Sequence, residues 1–250
     1  LDLRPLRGII SYEPTELVVT ARAGTPLQEL QATLAQAGQA LAFEPPHFAL
    51  GDKQPTVGGM VAAGWSGPAR ASSGAVRDFV LGVEIINGRG ELLRYGGQVM
   101  KNVAGYDVSR LMAGSWGTLG VITEVSLKVL PVAPAQATLV FAMDEAQALE
   151  ALNRWGGQPL PLNASCWAQG QLWLRLCGAQ AAVQAACQKL GVERLPDDQA
   201  AALWHSLREQ QHPWFAARSD ADALWRLLLP QTAAPLALPD GIAAPLIEWH

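Results

Sequence analysis

Charge is scarce in this chain. Only 16% of its 250 residues are Asp, Glu, Lys or Arg, against about 25% in an average soluble domain. Half are hydrophobic, which is the composition of a dense globule and not of a disordered chain. With 18 basic and 22 acidic side chains the net charge is −4, so there is no electrostatic footprint for nucleic acid or an anionic membrane surface. Cysteine is sparse as well: Cys166, Cys177 and Cys187 are an odd set with no CxxC pair. A disulfide framework, a zinc site and an iron–sulfur cluster are all disfavoured, and a reducing cytosol fits best. The four histidines, His47, His205, His212 and His250, make no HExxH or other local ligand pair, so no metal site is expected. No GxSxG elbow exists, and the glycines around Ser115 in AGSWG stand at the wrong spacing for one, which argues against the usual hydrolases.

Long hydrophobic runs are missing too. The charge-free stretch 155–174 is interrupted by Gly, Pro, Asn and Gln, too polar to span a bilayer, so no transmembrane segment is expected. The first residues, LDLRPLRGII, lack the apolar core of a signal peptide and do not begin with Met. Leu1 is therefore not expected to be the natural start.

What the chain does have is turn-forming residues, 24 Gly and 17 Pro. Residues 17–21 read as a strand, followed by a helix with Thr25, Pro26 and Gln28 at its N-cap, N1 and N3 positions; Leu27, Leu30 and Leu34 line its inner face and Gly38 closes it. The segment 44–74 is long, small-residue-rich and without period, which in a compact domain usually signals function. Residues 80–86 and 91–95 form a hairpin about Asn87-Gly88, and 121–130 alternates as a strand. Pro131 and Pro134 mark a boundary. Beyond it a strand at 138–142, a helix capped by Asp144, apolar runs at 162–168 and 172–177, a helix over 179–190 and a strand at 192–195 give the order βαββαβ, the ferredoxin-like arrangement. A further helix bearing Leu203, Trp204 and Leu207 follows Pro196.

The most informative stretch is PTVGGMVAAGWSG, residues 55–67. Gly59-x4-Gly64 imitates a phosphate-binding P-loop, but Trp65 stands where its Lys must reach the phosphates, which excludes a nucleoside triphosphatase. Two readings remain. Backbone amides without large side chains can approach a diphosphate closely; equally, a Gly-rich turn can simply pack two strands together.

Three further motifs bear on that choice: Ser73-Gly74-x-x-Arg77-Asp78, the loop KNVAGYD at 101–107, and GSWGTLGVITE at 114–124. In this order, and with EPTELVVTARAGTPL and AFEPPH, they resemble the flavoenzymes of the vanillyl-alcohol oxidase and p-cresol methylhydroxylase (PCMH) type. Within these the chain is similar to the D-2-hydroxy-acid dehydrogenase branch and to the FAD-binding subunits of bacterial glycolate oxidase (glycolate dehydrogenase).

The resemblance implies an α+β protein with a PCMH-type FAD-binding domain at 1–131 and a ferredoxin-like cap or substrate domain at 132–250. The family's first diphosphate loop has no counterpart in the sequence and the cap is cut short at His250, so the chain is expected to be the central piece of a longer one. The resemblance also implies noncovalent FAD. Thr56, Val57, Gly58 and Gly59 match a turn meeting the diphosphate. Ala63, Gly64, Ser66 and Gly67 match the next stretch along the cofactor, and Ser73, Gly74 and Asp78 match positions near the ribityl and adenosine portions. Gly120, Val121 and Ile122 match a strand entrance that touches FAD through its main chain. For Asp78 a salt bridge to Arg77 or a local cap is the competing reading; Lys101 and Tyr106 are weaker candidates for substrate or subunit contact. No residue is matched to the catalytic base.

The activity implied is oxidation of glycolate or a related D-2-hydroxy acid to the 2-oxo acid by hydride transfer to FAD. The partners implied are the other glycolate oxidase subunits, namely a related flavoprotein and an iron–sulfur protein, in a cytoplasmic setting, with any approach to the inner membrane face made through the complex. The alternative is a flavin-binding assembly or electron-relay subunit beside a catalytic partner. A second rival, the UDP-N-acetylenolpyruvylglucosamine reductases of the same flavin fold, is opposed by the KNVAGYD and GSWGTLGVITE strings.

Overall fold

The computed structural model describes residues 1–48, 54–98, 105–219 and 221–248. Its chain divides into two compact units, Leu1–Val132 and Ala133–His250.

The first unit is built on a five-stranded antiparallel sheet in the order β1-β2-β6-β4-β5, with β1 at Ile9–Glu13, β2 at Val18–Arg22, β4 at Val80–Ile86, β5 at Leu92–Gly96 and β6 at Val121–Lys128. A two-stranded ladder joins β3 (Gln39–Ala40) to β7 (Leu130–Pro131). One sheet face is apolar. Val19, Ala21, Val83, Ile85, Ile122, Val125 and Leu127 pack there with helix α1 (Leu27–Gln36), which contributes Leu27, Leu30 and Leu34, and helix α2 (Val57–Ala63), which contributes Val57, Met60 and Val61. Alternation puts polar side chains on the other face. There Arg22, Glu124, Glu84 and Arg94 are successive cross-strand partners. Arg94 holds Glu84 at 2.6 Å and Glu124 at 3.7 Å, so one guanidinium offsets the repulsion between two facing carboxylates.

Two expectations are corrected here. Thr25 does not cap α1. It is fully buried, and its hydroxyl exchanges hydrogen bonds with the Gly8 amide (3.0 Å) and carbonyl (3.2 Å); Pro26 takes the N-cap position. The aperiodic segment 44–74 also holds helices, α2 and the single turn α3 (Arg70–Ser73).

The second unit carries the sheet β8-β10-β9, with β8 at Ala135–Ala142, β9 at Leu162–Ala168 and β10 at Gln171–Gly178. Helices α5 (Glu145–Gly156) and α6 (Gln180–Leu190) follow β8 and β10, and α4 (Val108–Leu111) completes the numbering in the first unit. The ferredoxin-like order is present, but its fourth strand is only a bridge between Arg194 and Leu139, held by Val140 N–H to Glu193 O (3.1 Å) and Leu195 N–H to Thr138 O (2.9 Å). Asp144 and Gln147 form a reciprocal capping box on α5. Leu139, Leu172, Leu174 and Leu176 share one core with Ala151, Leu152, Trp155 and Val183. The opposite face is covered by α7 (Asp197–Arg208): Trp204 donates to Thr138 Oγ1 at 2.9 Å and stacks under the buried Arg175 guanidinium at 4.7 Å. A last turn, α8, spans Pro213–Ala216.

Cys166 is fully buried, and burial pushes its thiol well above the ordinary range, which makes it an inert core residue. Among the described residues no group of His, Cys, Asp and Glu is arranged to hold a metal, and no helix is long and apolar enough to cross a membrane.

Candidate functional site

Helix α2 is the organising element. Thr56 caps it, its Oγ1 accepting from the Gly59 amide at 3.2 Å. The Val57 and Gly58 amides donate to Thr25 O (2.9 Å) and Ala23 O (2.8 Å), and Ala23 donates in turn to Thr123 O of β6 (2.8 Å). Gly58 is needed for packing: a Cβ there would lie 2.5 Å from Ala23 Cβ. The amides of 57–59 thus already have acceptors within the chain. At this end of α2 the turn packs two elements, the second of the readings left open by the sequence.

At its other end α2 closes on Gly64, in the left-handed region at φ 70°. Here the chain comes against the second Gly-rich motif. Gly114 N–H donates to Val61 O (3.0 Å) and Trp116 N–H to Ala62 O (2.9 Å). A Cβ on Gly64 would sit 2.8 Å from Gly114 Cα, so the two backbones touch where no side chain fits. Beyond Gly64, the Trp65 and Ser66 amides have no acceptor among the described residues, and neither do those of Gly117 and Leu119. The Ser115 hydroxyl is buried and has no partner among the described residues. A buried orphan hydroxyl is costly and rare in a native fold.

The third motif joins the same end. Ser66 Oγ accepts from the Val76 amide at 3.0 Å and Gly67 N–H reaches Phe43 O at 2.8 Å, which fixes the turn over 74–78 beside the Gly64 loop. Gly74 is at φ 100°, and a Cβ on it would lie 3.1 Å from Asp78 Oδ2. That oxygen accepts from the Ala75 amide at 2.9 Å, while Arg77 stands 3.9 Å from Asp78 Oδ1. The local cap proposed for Asp78 is therefore present, with one carboxylate oxygen turned to the exposed side chain of Arg77. Ser73 is half-buried at the end of α3.

Gly120, Val121 and Ile122 lie at the far end of β4, where Val121 pairs with Ile86 and Ile122 with Ile85. The Ile122 side chain is in the core and Val121 is half-buried, so Gly120 and Ile122 offer a ligand only their main chain. A Cβ on Gly120 would meet Ile86 O at 2.9 Å. Eleven of the fourteen positions thus fall along α2, 56–59 near Ala23 and Thr123 at its start and 63–67 with 73–78 at its finish, while Gly120, Val121 and Ile122 lie beside β4. At about 1.5 Å per residue the seven-residue helix separates its ends by roughly 10 Å. Lys101 lies outside the described residues, and Tyr106 is almost wholly exposed.

The sequence expectations do not count Phe48, Trp65, Ser115 or Trp116 among the cofactor contacts. Their signal was there in two near-identical pentapeptides, AGWSG at 63–67 and AGSWG at 113–117, which meet in the fold. Trp65 and Trp116 approach edge to face with ring centroids 5.6 Å apart, and Phe48 meets Trp65 at 4.7 Å.

A chain of small residues, unclaimed amides and an orphan hydroxyl suits a ligand carrying phosphate and sugar oxygens. Comparison with known proteins agrees with that chemistry: residues 1–96 match the model of the FAD binding domain, which makes this a flavoprotein fold. Glycolate oxidase subunit GlcE of Escherichia coli is 49% identical over 249 residues, all of this chain and 67% of GlcE, and the chain belongs to that FAD-binding family. D-lactate dehydrogenase of Anaerostipes hadrus is 33% identical over 56% of this chain, and glycolate oxidase subunit GlcD of Bacillus subtilis is 40% identical over 34% of it. The chain spans only 29% and 18% of those two proteins. A solved structure of alkyldihydroxyacetonephosphate synthase shares the fold, with a TM-score of 0.65 at 18% identity, covering 86% of this chain and 46% of that one.

Proposed function

We propose that the protein is the FAD-binding subunit of a glycolate oxidase, acting on glycolate or a related D-2-hydroxy acid and giving the 2-oxo acid. The observation that carries this reading is the 49% identity to GlcE along the whole chain, and the chemistry of the α2 strip supports it. Bound noncovalently, FAD supplies the hydride acceptor for such an oxidation.

The chain's own residues would hold it. The amides of Trp65, Ser66, Gly117 and Leu119 are donors for phosphate or sugar oxygens. The Ser115 hydroxyl is a further donor whose burial needs a partner. Gly64, Gly67 and Gly74 keep side chains out of the way, and Thr56 through Gly59, with Gly120 to Ile122, set the position of α2 and of the strand beside it. Unit 1 is the flavin-binding domain in this reading, and unit 2 is the cap or substrate domain. Among the described residues the three cysteines form no cluster site. Electrons therefore pass to partner subunits, a related flavoprotein and an iron–sulfur protein, in a cytoplasmic complex that reaches the membrane face through those partners.

The test is anaerobic. The purified full chain should be yellow, and glycolate added without oxygen should bleach its flavin band. A flavin that binds but stays oxidised, alone and with the partner subunits, would remove oxidation from this chain and leave it an assembly or relay role.

A further inference from the structure

Phe48, Trp65 and Trp116 form an aromatic cluster just past the end of α2. Its contacts are edge to face, with interplanar angles of 78° and 74°, so the outer ring faces are not stacked on each other. Trp65 remains 43% exposed and Trp116 65%. A large aromatic is normally mostly buried, and two indoles touching each other while open to solvent form a patch in want of a partner.

The backbone adds a second observation. Trp116 sits at φ 53° and Phe48 at φ 39°, in the left-handed region that bulky L residues avoid. Such outliers gather at ligand clamps, where the surrounding structure holds them in place. Here the Trp116 amide is tied to Ala62 O, which fixes the backbone of Trp116 beside α2. The Ser115 hydroxyl, without a partner among the described residues, lies next to it in sequence, and the amides of Trp65, Ser66 and Gly117, with no acceptor among the described residues, flank both indoles.

We infer that Trp65 and Trp116 are the stacking surface for one planar ring of FAD, with Ser115 and the adjoining amides taking the polar groups attached to it. The inference rests on the flavin-binding reading above. Aromatic side chains hold nucleobases and similar rings through their faces, and the two ring systems of FAD, adenine and isoalloxazine, share that chemistry.

The experiment measures dissociation constants of the full chain for FAD, ADP and riboflavin 5′-phosphate by calorimetry and by quenching of flavin fluorescence. The variants are Trp65→Ala, Trp116→Ala and the corresponding Phe substitutions. Trp225→Ala, at a tryptophan 79% exposed in the second unit, is the control. The Ala variants should bind FAD about tenfold or more weakly, the size of one lost base–aromatic stack; the Phe variants should recover most of that, and Trp225→Ala should match the parent chain. Loss against ADP places adenine on the pair, and loss against riboflavin 5′-phosphate places the isoalloxazine there; either supports the inference. If the parent chain binds FAD and the Ala variants bind it equally well, the stacking role is overturned while flavin binding stands. If the parent chain binds none of the three probes, the flavin reading falls and takes the inference with it. Since both indoles are exposed, every variant is expected to keep the parent's thermal unfolding midpoint within a few degrees.

Discussion

Replacing Gly58 with alanine tests the packing on which the whole strip depends. The added methyl would lie 2.5 Å from Ala23 Cβ, 3.0 Å from Ala23 Cα and 3.1 Å from Ala23 O, whereas carbon atoms prefer about 3.5–4.0 Å. No flexible side chain is available to yield, so α2 must lift off the end of β2 by about 1 Å, stretching the Gly58 N–H to Ala23 O bond. Overpacking of this kind costs about 1–3 kcal/mol, and contact with rigid backbone puts it near the top of that range. Alanine returns roughly 1 kcal/mol of helix propensity relative to glycine, leaving a net loss of about 2 kcal/mol. Gly59 provides the internal control: it is exposed, and its only close neighbour would be the rotatable Thr56 Oγ1 at 3.1 Å. There the propensity gain and the weakened cap nearly cancel, so Gly59→Ala should fall within about 1 kcal/mol of the parent. Urea unfolding should separate the two variants by roughly 2 kcal/mol, and thermal unfolding by about 4–8 °C. Ala23→Gly removes the clashing methyl, so a double-mutant cycle should return a coupling of about 1–2 kcal/mol. Equal midpoints for Gly58→Ala and Gly59→Ala, or zero coupling to Ala23, would refute the close approach.

Three more outcomes follow from the second unit. Burial holds the His212 imidazole below its usual pKa of 6.5, and its Nδ1 accepts from the Trp214 amide at 3.3 Å. The folded state therefore favours the neutral ring, and the unfolded chain takes up a proton first as the pH drops. Stability to urea should decline below about pH 6.5 and level off beneath the depressed folded value, and His212→Asn should flatten that part of the profile; an unchanged slope would dismiss His212 as its source. Removing the α5 cap with Asp144→Ala should cost about 1 kcal/mol in urea midpoint analysis, and Asp144→Ser should restore most of it. Cys166 should react with a thiol reagent only at the rate of unfolding, as peptide mapping of the labelled protein would reveal; prompt labelling would contradict its burial.

Strands β4 and β6 and helices α1, α5, α6 and α7 were legible because each carries its own period. Leu27, Leu30 and Leu34 face one way, and VITEVSLK alternates between core and polar face. Helix α2 was not legible, because VGGMVAA has neither a polar face nor good propensity: two of its seven residues are glycine, and four are buried. Tertiary bonds from Val57 and Gly58 to Thr25 and Ala23 hold it as a helix. Thr25 misled for a related reason. Its hydroxyl serves Gly8, seventeen residues away, and a local capping pattern carries no sign of so distant a competitor. The fourth strand of the second unit has little room between Gly191, the left-handed C-cap of α6 at φ 61°, and Pro196 at the N-cap of α7; one isolated bridge, Arg194 to Leu139, is what forms.

The candidate site divides along the same line. Its segments could be named one at a time, since each is a short run of small residues with its own signature. Their convergence could not be read locally, because it depends on α2 bringing Gly64 to Gly114 across fifty residues of chain. The same dependence explains why a glycine is needed at position 64. A Cβ there would push the loops apart, since its nearest atoms are the Gly114 N and Cα at 2.9 and 2.8 Å, both backbone and unable to yield. Separating these loops would lengthen the Gly114 to Val61 and Trp116 to Ala62 bonds together. The unclaimed amides and the Trp65–Trp116 pair would then lose their common frame at once, so ligand contacts contributed by two distant motifs are expected to fail as a unit.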